Sequence, residues 1–144
     1  MNEVELKNEN WLYYGMFLDD KSREKIMSVL GGHVPADWKV YCDHMTIIFN
    51  DGSDNARTWA SLCEKQIGTT AVLMVTHIGI SDRAVAVKVI GYQSNNANPH
   101  ITLGVAPGAR PVESNQITTW VKLNSPLYVN TTLNVVNKPR SQWK

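Results

Sequence analysis

Hydrophobic and polar positions alternate with a period of two along several stretches of the chain, and two of those stretches are near copies of one another. Asp43-His-Met-Thr-Ile-Ile-Phe49 and Pro99-His-Ile-Thr-Leu-Gly-Val105 both read as β-strands, whose successive side chains point to opposite faces. That spacing puts Met45, Ile47 and Phe49 on one face of the first strand and His44, Thr46 and Ile48 on the other. In the second strand Ile101, Leu103 and Val105 form the apolar face, with His100, Thr102 and Gly104 opposite. Each copy therefore offers an imidazole and a hydroxyl, two residues apart, from a sheet whose reverse side packs into a core.

The other elements follow from the same patterning. Trp11 to Leu18 is aromatic-rich and strand-like. Asp19-Asp20 stand where a helix cap belongs, Ile26, Val29 and Leu30 recur at helical spacing, and Gly31-Gly32 end the run. Residues 35–39 read as a loop and Val40 to Phe49 as one strand. Ser53 or Asp54 caps a second predicted helix to about Ile67, with Trp59, Leu62, Cys63 and Ile67 on its apolar stripe. Strands over Ala71–Ile80 and Ala84–Ile90 flank a short connection at Ser81-Asp82-Arg83. A polar loop from Gly91 to Pro99 delivers the second histidine strand, and its small polar residues suit a mobile lid. Pro111 suits the start of a short helix reaching Trp120, and Leu127 to Val136 reads as one or two strands. The order β-α-β-α-β-β-β-α-β(-β) is that of an α+β protein. Its two β/α units, each carrying one histidine motif, predict two similar lobes meeting at a groove.

Composition narrows the class. The 144 residues, 43% hydrophobic and 19% charged, suit one domain spanning 1–144 with a core that needs no staples. The net charge of +1 argues against a grip on nucleic-acid duplexes and favours a small anionic ligand held locally. Cys42 and Cys63 form no disulfide or C-x-x-C pattern, the first fifteen residues are no targeting peptide, and no apolar run is long enough to span a bilayer. A cytosolic protein is the plain reading.

A lone strand histidine is usually structural, but H-apolar-T-apolar should arise by chance at any one histidine only about once in a hundred. Its occurrence twice in comparable strands, at His44 and His100, points to chemistry. His33 and His77 follow no such pattern and read as surface residues. Cys42, on the face of His44 by alternation, allows a zinc site with His44 and His100 to be drawn. Threonine two residues on is a poor zinc ligand, however, and a good donor to phosphate oxygens. The chemistry that such a quartet supports is transfer at a phosphodiester without metal or cofactor. One imidazole takes a proton from the attacking hydroxyl, the other protonates the leaving oxygen, and Thr46 and Thr102 hold the non-bridging oxygens. Which histidine plays which part is open at this level.

These residues resemble the two-histidine phosphoesterases, a family defined by two H-x-[ST] motifs. His44-Met-Thr46 and His100-Ile-Thr102 match the motif pair without departure. Tyr14-Gly-Met-Phe-Leu-Asp19, Tyr41-Cys-Asp-His-Met-Thr-Ile47 and Ile78-Gly-Ile-Ser-Asp-Arg83 are similar to the branch that includes the cyclic phosphodiesterase module of fungal and plant tRNA ligases. Small free-standing members of that branch occur in tailed phages, and one of them degrades cyclic di- and trinucleotide signals of bacterial antiphage defence. The resemblance implies a bilobal fold with pseudo-twofold symmetry, sheets of antiparallel strands with outer helices around a central cleft. It also implies catalysis by His44, Thr46, His100 and Thr102, with a ribose 2′-hydroxyl attacking the adjacent 3′–5′ diester through a 2′,3′-cyclic phosphate. A phage protein of this kind would work in the host cytoplasm.

Base contacts are carried by no motif. Tyr13 and Tyr14 point to opposite faces, so one of them could stack a base in the groove. Lys88 shares a face with Ala84 and Ala86 and could reach a phosphate, as could Arg110 in the turn after the second motif. Trp59 and Trp120 read as helix-face core. Three functions compete: opening of cyclic di- or trinucleotides, opening of 2′,3′-cyclic phosphates at short RNA ends during repair, and sequestration of a nucleotide without turnover. With no G-x-x-x-x-G-K-[ST] loop and no K-x-[DN]-G, a repair role would need partner enzymes. An intact base–acid pair argues against a mere binder.

Overall fold

The computed structural model describes residues 5–143. Within them the chain forms β1 (Trp11–Leu18), α1 (Asp20–Leu30), a 3-10 turn (Gly31–His33), β2 (Lys39–Val40), β3 (His44–Phe49) and α2 (Asp54–Glu64). It continues as β4 (Thr70–Ile80), β5 (Ala84–Ile90), β6 (His100–Val105), a 3-10 segment (Pro111–Gln116), β7 (Trp120–Asn137) and a last 3-10 turn (Arg140–Gln142). The strands pair antiparallel in the order β2-β6-β3-β1-β7-β4-β5, and β5 pairs back onto β6 to close a barrel. The class is therefore α+β. One continuous sheet carries both histidine strands, which meet at Met45 opposite Ile101 rather than standing on two separate sheets.

Both helices start where the sequence says. Asp19 accepts the Ser22 N–H at 2.7 Å, and Ser53 accepts that of Ala56 at 3.1 Å. α1 buries Ile26 and Leu30 but turns Val29 to solvent. α2 ends at Glu64, short of the expected Ile67. It buries Ala56, Ala60 and Cys63 while Leu62 and Ile67 lie exposed, because the small residues let the helix lie close against its neighbours. These helix residues join Tyr14, Met16, Met45, Ile47, Ile101, Leu103 and Leu133 in the main core.

Strict alternation fails at three places, each with a local cause. Cys42 has φ 51°, a left-handed conformation that breaks the expected 40–49 strand between β2 and β3. It also turns the Cys42 side chain into the core, away from His44. In β3 the pairing with β1 runs Gly15 opposite Thr46, then Tyr14 opposite Ile48, so Ile47 is the extra residue of a bulge. Ile47 and Ile48 are both buried as a result, and Phe49 swings onto the His44 face, 55% exposed. In β6 the pairing with β5 runs Ala86 opposite Thr102, then Val85 opposite Gly104, a matching bulge at Leu103. Val105 consequently packs with Ala84, Ala86 and Ile117 and not with Ile101 and Leu103. Each motif is thus followed at once by a bulge, and each threonine faces a small residue on the strand beside it.

The end of the chain departs furthest from expectation. β7 starts at Trp120, which had been assigned to a helix, and runs through Pro126. The polar stretch 122–126 hides it. There the β4 ladder passes from Val75 to His77 while β7 passes from Leu127 to Lys122, so the intervening residues bulge out and Pro126 costs no ladder bond. β7 lies between β1 and β4, and beyond it the Lys138 N–H donates to the Asn10 carbonyl at 2.8 Å.

Candidate active site

His44 lies at the start of β3 with its ring over β1. On that strand Tyr13, Gly15 and Phe17 face the ring, with Phe17 directly across from His44. The imidazole stacks against Tyr13 at 4.7 Å between centroids and against Phe17 at 5.0 Å. Its Nε2 meets the Thr46 hydroxyl at 3.2 Å, while its buried Nδ1 has no hydrogen-bond partner. Burial pushes the ring's pKa down from its usual 6.5 to about 4, with Asp43 opposing the shift and His100 adding to it. That burial keeps the ring neutral at pH 7.

His100 is set up differently. Its Nδ1–H donates to the Asn98 carbonyl at 2.9 Å, which fixes the tautomer and leaves Nε2 toward the cleft. Burial lowers its pKa too, but the Asn98 carbonyl favours the cation. The Thr102 hydroxyl shares a 2.8 Å hydrogen bond with that of Ser114, which is buried in the 3-10 segment. The single pair Met45–Ile101 sets the register, so His44 falls on the side of Thr102, and Thr46 on the side of His100. The four motif residues thus come together around one local twofold.

They line a cleft of about 940 Å³, near the upper end for small-molecule sites. Tyr13 and Arg110 line it as well. Lys88 stands opposite His100 on β5, with Nζ 4.8 Å from the centre of the Trp120 ring, itself a cleft residue. Tyr14 does not reach the cleft: it is fully buried against Trp11 because alternation points it into the core, and it is not a groove residue. Cys42, the third ligand of the zinc alternative, is turned into the core as well. Among the described residues no group of three or more His, Cys, Asp or Glu could hold a metal.

Several cleft residues went unnoticed in the sequence. Phe49 reaches the wall only because of the β3 bulge, which alternation does not show. Asn95, Asn96 and Asn98, from the run Ser94-Asn-Asn-Ala-Asn98, form a carboxamide rim with Asn115 of the 3-10 segment. The loop carrying that run is tied to β3: the Asn95 N–H donates to the Ile47 carbonyl at 2.8 Å, and the Ser94 hydroxyl to that of Thr46 at 2.9 Å. Asn96 Nδ2 reaches Asn115 Oδ1 at 3.1 Å and bridges loop and 3-10 segment. No helix among the described residues is long and apolar enough to cross a membrane.

No known family's sequence profile matches the chain, and no curated protein matches it in sequence. Solved structures do share its fold. One is the crystal structure of a fungal RNA kinase, similar with a TM-score of 0.63 at 16% identity over 93% of this chain. The likeness extends over 47% of that longer protein, so this chain spans about half its length.

Proposed function

We propose that the chain is a metal-independent phosphodiesterase of the two-histidine type, acting on 3′–5′ bonds of cyclic di- and trinucleotides. The observation that carries this reading is the pairing of two imidazole–hydroxyl sets in one cleft with opposite surroundings. The Asn98 carbonyl holds His100 as the Nδ1–H tautomer with Nε2 free to take a proton, whereas His44 Nδ1 has no partner and Nε2 meets Thr46. In the proposed reaction one imidazole, neutral with Nε2 unprotonated, takes the proton of a ribose 2′-hydroxyl, whose oxygen bonds to the adjacent phosphorus. The P–O5′ bond breaks, and the other imidazole, entering the step as the cation, protonates the departing oxygen. The products are a 2′,3′-cyclic phosphate and a 5′-hydroxyl. Thr46 and Thr102 donate to the non-bridging oxygens as charge builds on them, and Arg110 and Lys88 lend positive charge. Tyr13 and Phe49 offer aromatic faces for bases and the asparagine rim offers carboxamides for their edges.

The likeness to a protein titled an RNA kinase favours a second substrate, a short RNA ending in a 2′,3′-cyclic phosphate. Both readings are tested by turnover in EDTA of cyclic dinucleotides, cyclic trinucleotides and such an RNA end, for wild type, His44→Ala and His100→Ala. The expected result is ring opening by wild type, with kcat lower by about 100- to 10,000-fold in each variant. Activity confined to the RNA end would move the protein to RNA repair. Binding without turnover would make it a nucleotide trap and sink the catalytic reading.

A further inference from the structure

His44 is held by β1 as much as by its own strand. A Cβ built on Gly15 would lie 2.8 Å from the Met45 carbonyl oxygen, 3.2 Å from His44 Cδ2 and 3.5 Å from Phe17 Cε1. The missing side chain is therefore the space that the imidazole edge occupies. Tyr13 and Phe17, two residues to either side on the same face, both stack on the imidazole, and with 6.2 Å between them they contact it as neighbours and not from opposite faces. The three residues make a slot with a glycine floor and two adjoining aromatic rings against the imidazole. The β3 bulge follows it at once, with Thr46 opposite Gly15.

We propose that Gly15 and Phe17, with Tyr13, are positioning residues that seat the His44 imidazole and aim its Nε2 at Thr46 and the cleft. The proposal rests on the phosphodiesterase reading for its consequence in catalysis, but the slot itself is a property of the protein without substrate. Phe17 is the cleanest probe, since it is not among the residues lining the cleft and so acts on substrate only through His44. A misplacement of about 1 Å can cost a hundredfold in rate, so a slack ring is expected to transfer protons poorly. The titratable and charged groups around the ring are Asp43 on its own strand, His100 of β6 and Tyr13 of β1. Burial dominates all of them in keeping the ring neutral.

The test is proton NMR of His44 in the substrate-free protein, with steady-state kinetics beside it, for wild type, Phe17→Leu, Tyr13→Phe, Tyr13→Leu and Gly15→Ala. In wild type the His44 Cδ2 proton should resonate upfield, under the current of two aromatic rings, and the ring should titrate far below 6.5. Phe17→Leu and Tyr13→Leu should move that proton downfield and raise the midpoint toward 6.5. In Phe17→Leu kcat should fall tenfold or more with KM little changed. Tyr13→Phe keeps the wall and should keep the wild-type spectrum. Gly15→Ala should nudge the ring by a few tenths of an ångström and strain the β1–β3 pairing at the Met45 carbonyl; if it fails to fold, Phe17→Leu still decides. An unchanged His44 shift and midpoint in Phe17→Leu would overturn the slot. Shifts that move as expected in a protein that opens no phosphodiester would retain the slot and refute the reaction.

Discussion

Single residues set the chemistry through what their ring nitrogens can reach. His44 and His100 belong to identical motifs, yet one has a buried nitrogen without a partner and the other a carbonyl 2.9 Å away. The orphaned nitrogen has a cost that depends on pH. The unfolded chain protonates His44 as pH falls through about 6.5, whereas the folded protein does not until about 4. Between those values the unfolded state binds more protons, so stability declines as pH falls. A shift of that size costs on the order of 3 kcal/mol once both limits are passed. His100, lowered in the same direction, adds to the slope. The carboxylates with lowered pKa, Asp19, Asp51 and Glu113, contribute stability that is lost only below the ordinary carboxylate range, at lower pH. Urea midpoints at pH 7.5 and 4.5 should therefore differ clearly in wild type and much less in His44→Gln, whose side chain does not titrate. An equal drop in both proteins would mean that the ring is already solvated.

At the scale of the element, the bulges decide which residues meet substrate. The motif histidines and threonines were legible because each motif is short and precedes its bulge, so alternation holds from His44 to Thr46 and from His100 to Thr102. Phe49 and Val105 were assigned to the wrong faces because a bulge has no signature in a run of apolar residues, where any register buries something. Trp120 was misread for a related reason: Pro126 and its polar neighbours look like a loop unless the partner strand is known to allow a bulge. Cys42 gave no warning, since no residue type announces a left-handed cysteine. The bulge in β3 makes a prediction that strict alternation reverses. Phe49→Ser should change stability by no more than about 0.5 kcal/mol yet raise KM for a base-containing substrate about tenfold. Ile48→Ser, one residue earlier, should destabilise by roughly 2–4 kcal/mol. Denaturant midpoints with KM for the two variants would check it; a reversed pattern would mean that Ile48, and not Phe49, presents its side chain to substrate.

For the molecule as a whole, both motif strands belong to one sheet that closes only when β5 returns to β6 and β7 enters between β1 and β4. The α+β class was readable from the order of elements, but the closure was not, because it depends on pairings between strands distant in sequence. β1 and β7 pair from Trp11 against Asn137 to Leu18 against Thr131, contacts that span most of the chain. A fragment ending at Ile117 would leave β1 and β4 with bare edges and Leu133 missing from the core. Such a fragment should aggregate or lack near-ultraviolet circular dichroism, and a native-like spectrum would show that β7 is dispensable. On the ribosome the same geometry imposes a timetable. Both histidine strands emerge well before β7, yet β1, the strand that seats His44, stays half-paired until residue 137 is free of the exit tunnel. A nascent chain of this protein would then carry all four motif residues and still be silent, and the proposed phosphodiesterase would switch on only once β7 is free to pair.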